Sequence, residues 1–384
     1  MKKLAIVAEF NPFHEGHKYL IEKARDLTRP DIALAIMSGD FVQRGEAAIL
    51  DKFTRASIAL NNGLDLVIEM PSFISLQSAK FFASKSIDIL NKLGIDYLAF
   101  GIENMESDDF KKKIDSILEK NDLIEKKTRD YLDKNYSYTK ASYLALEDIA
   151  GIEFLSSNNI LALEYINAIK NINPKIEYLP IPRRGALNRE KNISHPNFAS
   201  SSAIRANLDK DLSSLMPEDS YEELKKAMAA NILPSADSLF RIFQYKLVIS
   251  NNNFDKVLAY EEGMEEYFKK ILVVNPSLDD FINKAISPRY PASRIKRLII
   301  NYLLDNTSTL NDVDINFIKI LALNKKAKAA LGDMGKDIKI IMRKAESLDL
   351  DNGNKLVYKK MIEASNLYSI ISRRDFNRDY KVKF

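Results

Sequence analysis

The sequence predicts an α/β domain with a mainly parallel sheet, followed by an α-helical domain. Short apolar strands alternate with amphipathic helices over the first two hundred residues. Strands separated by helices imply right-handed crossovers and a parallel sheet that is covered on both faces. From Tyr221 onward, helical periodicity dominates and convincing strands are scarce. A chain of 384 residues exceeds the usual size of one hydrophobic core, so we expect two domains, residues 1–215 and 216–384.

The elements of the first domain follow from these patterns. Strands are expected at Leu4–Ala8, Ile32–Met37, Leu64–Met70, Tyr97–Phe100 and Ile176–Ile181. Helices are expected at Gly16–Ala24, Asp51–Asn61, Gln77–Leu93 and Asn158–Ile169. Pro71 closes the third strand, and Pro217 marks the junction between the two domains.

The composition is that of an ordinary globular protein, with 46% hydrophobic and 29% charged residues. A net charge of +4 does not demand a polyanionic partner, so any such partner must be argued from local clusters. The absence of cysteine excludes disulfides, thiolate metal sites and cysteine nucleophiles, and it suits a reducing cytoplasm. Glu9 interrupts the first apolar run, and no later segment is long enough to span a bilayer. We therefore expect a soluble, cytoplasmic protein without a membrane partner.

The strongest functional pattern is Glu9-Phe10-Asn11-Pro12-Phe13-His14-Glu15-Gly16-His17, directly after the first strand. Ligands of open parallel sheets bind beyond the carboxyl ends of the strands. His14 and His17 are three residues apart and share one face of the first helical turn, where Gly16 leaves room for a phosphate. Free backbone N–H groups and the helix dipole attract anions at the same place. The pattern predicts a phosphate site, and it resembles the HxGH signature of the Rossmann-like nucleotidyltransferases.

A second pattern, Ser200-Ser201-Ser202-Ala203-Ile204-Arg205, opens a helix far downstream. Taken alone, consecutive hydroxyl groups at a helix start are equally explained as an N-cap. Together with HxGH, they match the ISSTxIR signature of these nucleotidyltransferases, with serine where the signature has threonine. Ser201, Ser202 and Arg205 would then bind the β- and γ-phosphates, Arg205 through bidentate contacts.

Between the two patterns lies a charged loop, Ser38–Glu46, followed by Asp51-Lys52-Phe53-Thr54-Arg55. Such a loop is equally typical of a solvated connection, but it lies at the ligand edge of the predicted sheet. Lys52 and Arg55 would supply positive charge to the reacting phosphates. Attack on the α-phosphate of ATP needs positioning and charge stabilisation more than covalent catalysis. We expect these from His14, His17, Lys52 and Arg205, with Mg²⁺ carried by the triphosphate and no metal site on the protein.

Six segments of the N-terminal half form a family pattern. In chain order they are AEFNPFHEGH, MSGDFVQRGEAAILDKFTRA, DLVIEMP, FGIEN, SNNILALEYI and SSSAIR. Their order resembles that of the tRNA(Met) cytidine acetate ligase family. Glu9 before FNPFH and the long FVQRG loop differ from the coenzyme-making adenylyltransferases. The resemblance continues more weakly through SPRYPASRIKRLIINYLL and LALNKKAKAALGDMG.

The resemblance implies an activity and a set of contacts. Such enzymes activate acetate with ATP, giving acetyl-adenylate and pyrophosphate, and then acetylate N4 of the wobble cytidine in elongator tRNA(Met). The implied ATP-binding residues are Val7, Ala8, Glu9, Phe10, Asn11, Pro12, Phe13, Gly16, Leu20, Gly101, Asn158, Asn159, Arg183 and Arg184. Asn159 is equally a plausible helix cap. Gly185–Glu190 departs from the aromatic–His–acid pattern of many relatives, which affects the expected lid over the nucleotide.

Basic residues cluster locally in the second half, with aromatic residues interleaved. The clusters are Arg289, Tyr290, Arg294, Lys296 and Arg297; Lys325, Lys326 and Lys328; Lys336, Lys339, Arg343 and Lys344; and Arg373, Arg374, Phe376, Arg378, Tyr380, Lys381 and Lys383. Such runs are usually solvated helix faces, but the resemblance favours a tRNA-binding domain at residues 216–384.

Two other functions use the same residues. A small-molecule adenylyltransferase that makes a nucleotide cofactor would share HxGH, but it needs no large helical domain and no RNA. A nucleotide-sensing RNA-binding protein would keep the site without catalysis, although intact His14, His17, Lys52 and Arg205 argue against it.

Overall fold

The computed structural model describes residues 1–136, 138–184, 193, 195–249, 254–287, 290–334 and 336–382. Up to Ala206 it contains β1 (Lys3–Ala8), α1 (Glu15–Thr28), β2 (Ile32–Ser38), β3 (Phe41–Val42), β4 (Glu46–Ala47), α2 (Lys52–Asn61), β5 (Leu66–Met70), α3 (Ser72–Ser75), α4 (Ala79–Lys92), β6 (Tyr97–Ile102), α5 (Ser107–Glu119), α6 (Asn121–Leu132), α7 (Tyr138–Ala150), α8 (Ser157–Ile172), β7 (Glu177–Pro182) and α9 (Ser201–Ala206). Beyond Ala206 it contains α10 (Glu218–Ala229), α11 (Ala236–Ile249), α12 (Met264–Leu272), α13 (Leu278–Ala285), α14 (Ala292–Leu303), β8 (Phe317–Leu323), α15 (Lys325–Met334), β9 (Lys339–Ile341) and α16 (Asn352–Ser372).

The main sheet has the strand order β7-β6-β1-β2-β5-β8-β9 within the described ranges. β7, β6, β1, β2 and β5 are mutually parallel, whereas β8 pairs antiparallel with β5 and parallel with β9. These parallel strands confirm the α/β fold predicted from alternating strands and helices.

The sequence of β2 explains why the sheet is covered on both faces. All seven of its residues are buried. Ile32, Leu34 and Ile36 pack into one hydrophobic cluster, while Ala33, Ala35 and Met37 pack into the cluster on the opposite face. Because side chains alternate between the faces of a strand, a continuous apolar run fills both layers.

The strand order has a switch point at β1. From β1 the chain proceeds to β2 and β5 on one side, and then to β6 and β7 on the other side. Loops that leave neighbouring strands in opposite directions open a crevice at the carboxyl ends of those strands. The β1–α1 turn, which carries the HxGH pattern, lies at this crevice.

A separate helical core follows the sheet domain in the chain. It is rich in phenylalanine, and it includes Phe240, Phe243, Phe254, Phe268, Phe281, Ile295, Leu298 and Tyr302. Ile300 and Leu304, on and just after α14, belong to another cluster that contains Phe41 of β3 and Tyr368 of α16. This packing on two sides holds α14 against the β3–β4 hairpin.

The second half differs from the expected all-helical domain in one respect. β8 and β9 lie beyond residue 215 and extend the sheet, with Leu66 paired to Leu323 and Glu69 paired to Lys319. The sheet therefore does not end at the predicted boundary, and the division at residue 215 stays a prediction.

Candidate active site

A cavity of about 550 Å³ lies at the carboxyl ends of β1, β6 and β7. Its walls come from the β1–α1 turn, the β3–β4 hairpin, and the first turns of α1, α8, α9 and α14. A cavity at the switch point of a parallel sheet is where such folds bind ligands.

His14 and His17 line the cavity with stacked rings, whose centroids are 3.7 Å apart. Nδ1 of His14 accepts a hydrogen bond from the backbone N–H of Gly16 at 3.0 Å and thereby caps α1. Nδ1 of His17 accepts one from the backbone N–H of His14 at 3.2 Å. Since both Nδ1 atoms accept, each neutral ring carries its proton on Nε2. Both rings can therefore donate Nε2–H to a ligand.

Burial keeps both imidazoles neutral. It lowers the pKa of His17 to about 3, with a smaller contribution from the nearby Arg183. The pKa of His14 is also well below its usual value, because of burial first and the neighbouring His17 second. At neutral pH the pair acts through hydrogen bonds rather than through positive charge.

Two glycines make room for side chains of the site. A Cβ atom at Gly16 would lie 2.9 Å from Cε1 of His14, so this glycine accommodates the capping imidazole. This contact differs from the expected role of Gly16, which was to leave space for a phosphate. A Cβ atom at Gly101 in β6 would lie 3.3 Å from Cγ of Arg183, so Arg183 packs directly over the strand.

The SSSAIR segment forms α9, and it serves both as a cap and as a cavity wall. Ser200 is the N-cap, with its hydroxyl accepting from the N–H of Ala203 at 3.0 Å. Ser201 and Ser202 follow in the first turn and line the cavity. Arg205 donates to the carbonyl of Asn11 at 2.6 Å and therefore ties α9 to the β1–α1 turn.

Glu103 organises the opposite wall. Its carboxylate accepts from Nδ2 of Asn158 at 2.8 Å and lies 3.6 Å from Arg183. The side chain of Asn159 is fully buried and holds the Glu103 backbone, bonding its N–H and its C=O at 2.9 Å each. Asn159 is not the helix cap, because Ser156 caps α8. Asn159 thus positions the residues that contact the cavity without lining it.

Comparisons with known proteins identify the family. A family model described as HIGH Nucleotidyl Transferase matches residues 1–382. A curated tRNA(Met) cytidine acetate ligase from Caldicellulosiruptor saccharolyticus is 35% identical over 351 residues, covering 89% of this chain and 87% of that protein. The protein of the same name from Caldicellulosiruptor bescii is 32% identical over 395 residues, covering 100% and 97%. The chain belongs to the tRNA(Met) cytidine acetate ligase family.

Solved structures extend this likeness to the fold. The crystal structure of apo TmcAL from Thermotoga maritima matches with a TM-score of 0.88 at 28% identity, covering 100% of this chain and 98% of that one. A second crystal structure of the Thermotoga maritima protein, bound with α-thio ATP, matches with a TM-score of 0.87 at 27% identity. The α/β nucleotidyltransferase fold with a helical part is therefore the fold of this ligase family.

Most of the predicted site residues of this family member meet at the cavity. Those that line it are Val7, Ala8, Glu9, Phe10, His14, Gly16, His17, Leu20, Gly101, Asn158, Arg183, Arg184, Ser201, Ser202 and Arg205. Those that do not line it are Asn11, Pro12, Phe13, Lys52 and Asn159. Asn11 and Phe13 are buried beneath the turn, where the side-chain oxygen of Asn11 accepts from the N–H of Ile49 at 2.7 Å. They shape the turn from below.

Lys52 is placed differently from the prediction. Its ammonium group is fully buried and lies 2.8 Å from Glu69 and 2.7 Å from Asp379. Lys319 contacts the same two carboxylates. The structure therefore argues against a catalytic role for Lys52, because its charge is compensated inside the fold.

Arg55 is also structural. Its buried guanidinium donates to the backbone carbonyls of Glu9, Ser38, Gly39 and Leu50. It thereby joins the loops that follow β1 and β2, and it is absent from the cavity lining.

Glu9 is a carboxylate in the cavity wall. Its Oε1 accepts from the backbone N–H of Gln43 at 2.9 Å. Burial raises its pKa, although that hydrogen bond and the charges of Arg44 and Arg205 oppose the change. Glu9 therefore connects the β1–α1 turn to the β3–β4 hairpin.

Several lining residues were not predicted for the nucleotide site. Arg44 lies on the β3–β4 hairpin, while Lys296 and Arg297 lie on α14. The last two were predicted as part of an RNA-binding patch. Besides the predicted Phe10, the aromatic side chains that line the cavity are Tyr19, Phe82, Phe100, Tyr165 and Phe198. The basic run in PASRIKRL was the available signal for α14, but nothing in the sequence places that helix beside HxGH.

The predicted basic clusters are only partly exposed. Arg374 and Arg378 both pair with the buried Asp51, at 3.1 Å and 3.2 Å. The members with exposed side chains are Lys325, Lys326, Lys328, Lys336, Arg343, Lys344, Arg373, Phe376, Tyr380 and Lys381. Arg289, Lys383 and the Gly185–Glu190 segment lie outside the described residues.

The part of the chain that the structure describes contains no group of three or more His, Asp or Glu side chains arranged to hold a metal ion. The same part contains no helix that is long and apolar enough to cross a membrane.

Proposed function

We propose that this chain is an ATP-dependent tRNA(Met) cytidine acetate ligase. It forms acetyl-adenylate and transfers the acetyl group to N4 of the wobble cytidine of elongator tRNA(Met). The observation that carries the proposal is one cavity at the sheet's switch point, lined by both histidines of HxGH and by Ser201, Ser202 and Arg205. The relatives named for this activity match over almost the whole chain.

The first step joins acetate to ATP. A carboxylate oxygen of acetate attacks the α-phosphorus, and the bond from the α-phosphorus to the oxygen of the leaving pyrophosphate breaks. His14 and His17 donate Nε2–H to the phosphate oxygens. The neutral rings that burial provides leave each Nδ1 able to accept the backbone N–H bond that orients the ring. Ser201, Ser202 and Arg205 hold the β- and γ-phosphates.

The second step transfers the acetyl group. The exocyclic amine of cytidine attacks the acetyl carbonyl carbon, the bond to AMP oxygen breaks, and the amine loses a proton. The acyl-adenylate is already activated, so no cysteine carrier is needed. The chain must shield it from water and position the base, which reaches the cavity from a single-stranded anticodon loop.

Mg²⁺ is proposed to arrive on the triphosphate rather than on a protein site. The protein itself supplies positive charge to the phosphates, because basic side chains line the cavity, among them Arg44, Arg183, Arg205, Lys296 and Arg297. We therefore assign no step of the reaction to a protein-held metal.

Residues 216–384 are proposed to bind the tRNA. The exposed lysines of α15 and the exposed Arg343 and Lys344 offer charge, and Phe376 is 55% exposed and offers a stacking surface. A tRNA substrate also implies a cytoplasmic location.

The test is ATP–pyrophosphate exchange with purified protein, using acetate and larger carboxylates, each with and without unmodified tRNA(Met). We expect exchange that depends on acetate, followed by transfer of labelled acetyl to the tRNA. His17→Ala should abolish exchange, whereas His195→Ala should retain it, because His195 is the one histidine outside the cavity lining.

Binding of ATP without exchange on any carboxylate would refute adenylation and favour the nucleotide-sensing function. Exchange with a phosphorylated small molecule instead of acetate would favour the cofactor-making adenylyltransferase.

A further inference from the structure

The cavity has a second cationic wall that the nucleotidyltransferase signatures do not contain. HxGH and SSSAIR form the first wall, with Ser202 and Arg205 at one end. The second wall consists of Arg44 on the β3–β4 hairpin together with Lys296 and Arg297 on α14. Arg297 and Lys296 come from the helical part of the chain, far from HxGH in sequence.

Arg297 is a half-buried cation in the cavity wall. Its Nη1 donates to the backbone carbonyl of Gln43 at 3.2 Å, and no ion pair joins it to a carboxylate within the described ranges. Burial lowers its pKa to about 10, and the neighbouring Arg294 contributes. A charged guanidinium that is partly removed from water is stabilised when an anionic ligand accepts its hydrogen bonds.

The two walls are close enough to share one anion. The carboxylate of Glu46 lies 2.8 Å from Lys296 and 3.5 Å from Arg205. Arg44 donates to the hydroxyl of Ser202 at 2.9 Å. A carboxylate that bridges both cations shows that a single anionic group of similar size can contact both walls at once.

Close packing fixes the second wall in place. Gly45 has φ +75°, and a Cβ atom there would lie 2.5 Å from the backbone nitrogen of Arg297. The hairpin and α14 therefore meet at backbone contact, which only glycine permits. Arg44 is held next to Lys296 and Arg297 by this contact.

We propose that Arg44, Lys296 and Arg297 form a subsite for the pyrophosphate portion of the nucleotide. The helical part of the chain thus stabilises the leaving group in addition to its proposed role with tRNA. The inference rests on the proposed use of ATP. Ser202 and Arg205 were assigned to the β- and γ-phosphates, and Arg44 and Glu46 extend that end of the cavity directly to α14.

A phosphate of the RNA backbone is the other anion of this chemistry. The geometry favours pyrophosphate, because these side chains line the same cavity as the histidines and contact the residues of the first wall.

The test is calorimetric titration of inorganic pyrophosphate and, separately, of AMP into the full chain. In Arg297→Gln and Lys296→Gln, we expect pyrophosphate to bind about tenfold more weakly or worse, with AMP binding unchanged. Arg297→Lys should retain part of the affinity, because it keeps the charge without the planar fork. Arg241→Gln is the matched control, since it removes the same charge from an exposed position on α11 and should change neither affinity.

Unchanged pyrophosphate affinity in both cavity variants would overturn the proposal. Unchanged pyrophosphate affinity with weaker tRNA binding would assign α14 to RNA instead. Equal losses for pyrophosphate and AMP would indicate a distorted cavity and also count against the subsite. If Arg297→Gln does not fold, the partly exposed Lys296→Gln provides the decision. The readout needs no acetate, so pyrophosphate binding without acetate-dependent exchange would refute the ligase function and keep the subsite.

Discussion

Asp379→Asn should destabilise the fold strongly, because it removes a carboxylate that compensates two buried lysines. Lys52 and Lys319 supply two positive charges to this cluster, and Glu69 and Asp379 contact both lysines, while the buried Asp40 lies 3.9 Å from Lys52. The side chains of Lys52 and Asp379 are 0% exposed. The two lysines hold the pKa of Asp379 far below its usual range despite burial, so the carboxylate is ionised at neutral pH.

The magnitude follows from the distances. At the 2.7 Å between Lys52 and Asp379, one pair of charges is worth about 6 kcal/mol at an effective dielectric constant of about 20. The asparagine oxygen still accepts a hydrogen bond and recovers part of this. We therefore expect a loss of about 3–5 kcal/mol in the free energy of unfolding, as for other broken buried ion pairs.

Urea unfolding at neutral pH measures this loss, and a compensating variant tests its cause. Lys319→Met alone should also destabilise, because it leaves one negative charge in excess. The double variant Asp379→Asn with Lys319→Met removes one charge of each sign and keeps the pair of Lys52 with Glu69, so it should be more stable than the sum of the two losses predicts. Glu223→Gln on the exposed face of α10 is the surface control, and we expect no measurable change.

Additive losses in the double variant would refute charge balance as the origin of the effect. A single-variant loss no larger than that of the surface control would refute the buried cluster itself.

Three further predictions concern the cavity. A histidine in the unfolded chain has a pKa of about 6.5, whereas burial lowers the pKa of the folded His17 to about 3. Between these two pH values the unfolded state binds one more proton at this ring, so the free energy of unfolding falls by about 1.4 kcal/mol for each unit that the pH is lowered. Urea unfolding of His17→Ala should show a flatter pH dependence in this window, and an equal slope would contradict the neutral ring. Asn159→Ala orphans the buried Glu103 backbone, so calorimetry should show a lower melting temperature and titration should show weaker ATP binding, whereas an unchanged protein would contradict the positioning role. Gly45→Ala should lower the free energy of unfolding and the pyrophosphate affinity, because its Cβ atom would clash with α14. Gly332→Ala, whose Cβ atom would meet open space, should lower neither, and equal losses in the two variants would contradict the contact of Gly45 with α14.

The sequence predicted the elements that build the first wall. The strand β1, the helix beginning at Glu15, and α9 beginning after Ser200 were all identified from local patterns. Local patterns suffice there because the ligand groups lie within a few residues of the cap or strand end that positions them. This explains why His14, His17 and the serines of SSSAIR meet in one cavity.

Long-range pairing explains what the sequence did not predict. Lys52 is preceded by the helix cap Asp51 and resembles a cation at the ligand edge, but its carboxylate partners Glu69 and Asp379 are distant in the chain. β8 contains Lys319 within an apolar run, and its pairing with Glu69 and Asp379 compensates the charge of that lysine in a buried strand. Such compensation is visible only after the chain has folded.

The most direct test of the central claim is acetyl transfer to a defined base. The full chain is incubated with ATP, labelled acetate and an unmodified elongator tRNA(Met) transcript, beside a transcript with uridine at the wobble position. The account predicts label as N4-acetylcytidine in the first transcript and none in the second, with release of AMP and pyrophosphate. Equal labelling of both transcripts, or no labelling under conditions that support ATP binding, would contradict it.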